Sequence, residues 1–131
     1  MSRTRIIFIV SFCLYIAAVA FLCFAKPDDL PQMPQFWFGL PADKVGHFLM
    51  FFPFTPLAFM AFSQTDLSLA RHLIILAAIM AAGFGVAVGT ELIQAQSAYR
   101  SAEAKDILAD CTGLLSGGIC VTAYLTLQRK R

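Results

Sequence analysis

The sequence predicts an all-α protein, an integral membrane bundle of four transmembrane helices with the N-terminus and the C-terminus both cytoplasmic. Three observations carry this expectation. Hydrophobic residues make up 59% of the chain and charged residues only 14%, with a mean hydropathy of +0.73. A soluble domain of 131 residues needs far more polar surface to cover its core, so the solvent that fits is a bilayer. Four apolar stretches each reach the roughly 20 residues that a helix needs to cross about 30 Å of hydrocarbon. Lysines and arginines collect on alternate connections between those stretches.

The first span, 6–25, carries no charge. Arg3 and Arg5 precede it as they would a signal peptide. However, the apolar run exceeds a usual signal core, and the residues before Lys26 lack the small side chain wanted upstream of a cleavage site, so it reads as a retained anchor. The second span, 43–63, opens on three ionisable residues in DKVGHF and contains Pro53 and Pro56, which predict a kink. The third, 71–93, and the fourth, 106–127, carry glycines four residues apart, Gly85 with Gly89 and Gly113 with Gly117. That spacing lets helix backbones approach where lipid offers no hydrophobic drive to associate, and it predicts that spans three and four cross near their outer halves. The whole chain, 1–131, reads as one domain.

Arg3 and Arg5 lie before span one, Arg71 between spans two and three, and Arg129, Lys130 and Arg131 after span four. The other two connections mix acids with bases. The positive-inside rule therefore places both termini in the cytoplasm and the mixed-charge loops outside. The long outer loop, KPDDLPQMPQFWFGLPA, has too many prolines for a regular helix, and Phe36, Trp37 and Phe38 suit the headgroup layer. A net charge of +2 without a basic patch excludes a nucleic-acid partner. The four cysteines form no C-x-x-C pair and read as small buried hydrophobes; a Cys23–Cys111 bridge is open but unsupported.

Once topology is assigned, the membrane-edge ionisable residues gather at the outer side. Asp43, Lys44 and His47 start span two, with His47 one turn beyond Asp43. Glu91 and Gln94 end span three; Arg100 and Glu103 occupy the short outer loop; Asp106 and Asp110 open span four at i and i+4. Charge near hydrocarbon is expensive, so such residues turn inward, pair, or line a wet cavity. Together they predict an outward-facing polar pocket. Individually, Lys44 can simply snorkel, Asp106 can favour a helix start, and Arg100 can bind lipid phosphate in passing.

D-K-x-x-H-F at 43–48, E-x-x-Q at 91–94, R-S-x-E-x-x-D at 100–106 and D-x-x-G-x-x-x-G at 110–117 resemble the VanZ-like membrane proteins over residues 43–118. The resemblance implies a multi-pass protein of the bacterial cytoplasmic (inner) membrane with a cell-envelope role, in a family linked to glycopeptide (teicoplanin) resistance. It maps the family's site pattern onto Asp43, Lys44, His47, Glu91, Gln94, Arg100 and Asp106. Asp110 stands where the family usually has asparagine, and Glu103 where an aspartate is common.

The leading functional expectation is binding of a lipid headgroup or lipid-linked envelope precursor, with Asp43, Lys44, Gln94, Arg100, Glu103, Asp106 and Asp110 as ligand-binding residues. The alternative is an intramembrane hydrolase or transferase acting on lipid-linked phosphate, with His47 and Glu91 as catalytic groups. A variant of it holds a divalent cation on His47, Glu91, Asp43 and Asp106, although no spacing marks a metal site and no cofactor is expected. A purely structural subunit is the third reading. Whether the protein is an enzyme stays open, as does self-association into a homo-oligomer.

Overall fold

The computed structural model describes residues 1–129; Lys130 and Arg131, part of the basic cluster after span four, lie outside the described residues. Helix α1 (Arg3–Phe24) starts where the Ser2 side chain accepts a hydrogen bond from the Arg5 amide, satisfying one of the free donors of the first turn. It stops before Lys26-Pro27, where proline disfavours a helical residue ahead of it. A single 3₁₀ turn (Pro27–Asp29) and a minimal hairpin, β1 (Phe36–Trp37) and β2 (Leu40–Pro41), fill the long loop. No α-helix forms there, in line with the prolines.

The hairpin itself was not expected. Its two turn residues, Phe38 and Gly39, have φ of 53° and 78°, the positive values that a tight two-residue turn requires. Phe38 stands at the tip, 99% exposed.

The second span is two helices, α2 (Ala42–Phe51) and α3 (Phe54–Phe62). The predicted kink falls at Phe52-Pro53. Pro56 is tolerated because it sits in the first turn of α3, where backbone N–H groups have no helical partner anyway. Its missing N–H leaves the Phe52 carbonyl without a donor four residues on. Helices α4 (Leu69–Ala95) and α5 (Ala104–Gln128) complete the bundle. The four spanning units are each long and apolar enough to cross a membrane.

Packing follows the glycines, though not all of those singled out. On α5, a Cβ at Gly113 would lie 2.5 Å from the Phe48 carbonyl oxygen, and one at Gly117 would lie 2.6 Å from that of Phe52. Backbone therefore meets backbone, and Gly117 approaches the carbonyl that Pro56 releases. Below it, the Thr55 hydroxyl donates to the Leu114 carbonyl at 3.2 Å. The partner of this glycine pair is thus the kinked second span, not the third.

Helix α4 meets α5 through other residues. A Cβ at Gly118 would come within 2.9 Å of the Met80 sulfur, and one at Gly83 within 2.6 Å of Leu114. A Cβ at Gly85 or Gly89 would meet no other element within 4 Å among the described residues; the contacts of Gly83 and Gly118 bring α4 and α5 together near their middles instead. Leu114 joins Phe51, Phe54 and Phe59 in the apolar core. At the end that carries the chain N-terminus, Arg5 Nε donates to the Ala61 carbonyl at 3.2 Å and ties α1 to α3.

These contacts predict opposite outcomes for chemically identical changes. Gly113→Ala forces a methyl into backbone and costs about 1–3 kcal/mol. Gly85→Ala adds it to open space and is neutral or stabilising by up to about 1 kcal/mol through helix propensity. Thermal unfolding of the two variants in detergent micelles measures the difference.

Candidate functional site

The polar residues converge at the end of the bundle opposite the start of α1 and the end of α5. The hairpin aims α2 into place: the Ala42 amide donates to the Gln35 carbonyl at 3.0 Å, so the helix begins on the residue before Asp43. Lys44 and His47 follow one turn apart on the face turned to α5. Helix α5 presents Asp106 in its first turn and Asp110 one turn deeper. Glu91 comes from the last turns of α4, and Glu103 from the residue preceding α5.

Lys44 is the cationic hub. Its ammonium lies 2.9 Å from Asp43 Oδ2 and 2.7 Å from Glu103 Oε2, and it also donates to Asp106 Oδ1. Asp43 and Glu103 are mostly open, with side chains 61% and 51% exposed, whereas that of Asp106 is 12% exposed. One turn inward, His47 Nδ1 is 2.8 Å from Asp110 Oδ1, and Asp110 is completely buried. An ionised carboxylate only accepts, so Asp110 favours the proton on Nδ1, and on a neutral ring that arrangement leaves the lone pair on Nε2. Nε2 lies 3.7 Å from Asp106 Oδ2.

Glu91 is 2% exposed. One of its oxygens accepts the Glu103 backbone N–H at 3.3 Å. Its other oxygen, Oε1, has no hydrogen-bond partner among the described residues, and neither does Asp110 Oδ2. Buried polar atoms without partners are rare and costly. The site thus sets five carboxylates against one ammonium and one imidazole.

Two predicted members lie apart from this cluster. The Gln94 amide donates to the Cys23 carbonyl at 2.8 Å, and Arg100 donates to the Leu22 carbonyl at 3.2 Å. Both satisfy carbonyls at the C-terminus of α1, which lack helical donors. Between them is a small groove of ≈ 70 Å³, bordered by Tyr99 and Ser97. Arg100 therefore does not roof the acids by any contact of its own. The cluster itself contains no residue that the sequence pattern overlooked. All four cysteines are free thiols.

The VanZ/LLP1 family model matches residues 7–125 of the chain. The protein belongs to the VanZ/LLP1 family. No curated protein and no solved structure matches it significantly. Family and helices agree on a multi-pass VanZ-like membrane protein. Against the family pattern given above, Asp110 is notable: the carboxylate standing in an asparagine's place is the group that orients His47.

The ion pairs make a rescue prediction. Lys44→Met strands Asp106, which is largely shielded from water, and lowers stability by up to about 3 kcal/mol, the low end for breaking a buried pair. Adding Asp106→Asn removes the stranded charge and recovers most of that loss. A double-mutant cycle on unfolding midpoints checks it.

Proposed function

We propose that this VanZ/LLP1 protein binds the polar headgroup of a phospholipid or lipid-linked envelope precursor in the bacterial inner membrane. The termini are cytoplasmic, and the cluster faces outward. The observation that carries the reading is the convergence of α2, α4 and α5 on one ionic cluster at the rim of an apolar bundle, half of it open and half sealed. Membrane proteins retain such expensive groups where they have work to do. The open carboxylates of Asp43 and Glu103 suit the amine or hydroxyls of a headgroup, and Lys44 between them suits its phosphate.

Native mass spectrometry of gently extracted protein tests this. Wild type is expected to carry a defined phosphate-bearing lipid that Lys44→Ala and Asp43→Asn/Glu103→Gln each lose. An equal spread of bulk lipids on all three proteins contradicts the reading.

One observation favours the enzymatic alternative as well. Asp110 holding Nδ1 of a buried histidine leaves Nε2 as a base, the arrangement that general-base catalysis uses. A hydrolase or transferase acting on lipid-linked phosphate predicts that His47→Ala keeps the bound lipid yet abolishes headgroup release from phosphatidylethanolamine vesicles. Release that persists at the wild-type rate in His47→Ala eliminates that chemistry.

A further inference from the structure

The inner half of the cluster has a composition that its own hydrogen bonds do not explain. The geometry points to a divalent-cation site formed by His47 Nε2, Glu91 and Asp106, with Asp110 as the positioning residue behind the histidine. This goes beyond headgroup binding and does not require it, because the ligands all come from the protein.

Four features support the assignment. One donor atom each from His47, Glu91 and Asp106 lies within 4.8 Å of the other two, and all three residues are buried. Two ligands on one zinc ion sit about 3.4 Å apart, given metal–ligand bonds of about 2.1 Å and tetrahedral angles. The His47 Nε2 to Asp106 Oδ2 separation of 3.7 Å needs only a small contraction to reach that spacing.

The second feature is Glu91 Oε1, a carboxylate oxygen in a residue 2% exposed, without a partner among the described residues. A cation supplies what it lacks. The third is the relay on the far side of the ring. Metal-bound histidines usually donate their other N–H to a carboxylate, which fixes the tautomer and turns the free nitrogen to the ion; Asp110 at 2.8 Å from Nδ1 does this. The fourth is charge. Lys44 already occupies the centre of the outer acids, bonding Asp43, Glu103 and one oxygen of Asp106. Among the described residues, Glu91 and Asp110 pair with no lysine or arginine.

That difference also separates this trio from Asp43, Glu103 and Asp106, whose oxygens are similarly close but already surround an ammonium. One imidazole with two carboxylates and no thiolate suits Mn²⁺ or Zn²⁺ rather than a soft metal.

The test uses the full chain, delipidated and chelator-treated in detergent, with MnCl₂ or ZnCl₂ alone as probe. Equilibrium dialysis with elemental analysis is expected to find about one ion per chain in wild type and in Asp43→Asn/Glu103→Gln. Glu91→Gln and Asp106→Asn are expected to abolish it, and Asp110→Asn to weaken affinity about 10–100-fold. Wild type that takes up no more metal than Glu91→Gln overturns the assignment. So does binding lost from Asp43→Asn/Glu103→Gln and kept by Glu91→Gln, since the ion then lies on the outer acids.

A second measurement leaves every proposed ligand in place and changes only the remote His72. Pulsed electron paramagnetic resonance of the Mn²⁺-loaded protein is expected to show coupling to one imidazole nitrogen, retained in His72→Gln. Mn²⁺ without nitrogen coupling, or coupling lost in His72→Gln, overturns it. A specific lipid on native wild type that takes up no added metal after chelation would end this inference and leave the headgroup reading standing; metal uptake without any specific native lipid would do the reverse.

Discussion

The seam between α2 and α5 is the constraint on which the rest of this structure depends. It is built as a ladder in which each rung is a different kind of contact. Lys44 meets Asp106, and His47 meets Asp110 one turn deeper. Below them Gly113 and Gly117 bring backbone against the carbonyls of Phe48 and Phe52. The polar rungs alone would be a poor way to hold helices in lipid, since each charge brought in from water costs several kcal/mol. The glycines alone would fix distance but not register. Together they lock one face of α5 to a kinked helix, and Pro56 just past the kink frees the carbonyl that Gly117 approaches.

The seam also explains how an apolar protein accommodates so many acids. The outer carboxylates share one lysine and remain wet, which is an inexpensive arrangement. The inner ones are buried, and their atoms are only partly satisfied by protein partners. Groups left in that condition are characteristic of sites that complete themselves with something from outside. A headgroup at the rim and a cation beneath it would meet the two needs separately, and a metal beside Lys44 would make a natural phosphate cradle.

Much of this was legible beforehand, for a simple reason: hydrophobic length and charge placement are properties of the chain itself. The span read as 71–93 is Leu69–Ala95, and the one read as 43–63 is the kinked pair Ala42–Phe62. The gathering of Asp43, Lys44, His47, Glu91, Glu103, Asp106 and Asp110 at one end followed from topology alone. Partnership was not legible. Glycine spacing identifies a helix that permits close approach without naming its neighbour, so Gly113 and Gly117 were paired with the wrong span and Gly85 with any span at all. Topology and the family pattern group Gln94 and Arg100 with the acids at the outer edge, whereas the unmet carbonyls of Leu22 and Cys23 at the end of α1 claim them. The turn at Phe38-Gly39 had no asparagine or aspartate to announce it.

The central claim is that Asp110 holds His47 in one tautomer with Nε2 free to act. A long-range ¹H–¹⁵N spectrum of histidine-labelled protein in micelles reads this directly, with His72 as internal reference. The account predicts a neutral His47 protonated at Nδ1 in wild type, shifting toward the Nε2-protonated form in Asp110→Ala. A wild-type His47 protonated at Nε2, and indifferent to Asp110, would contradict it.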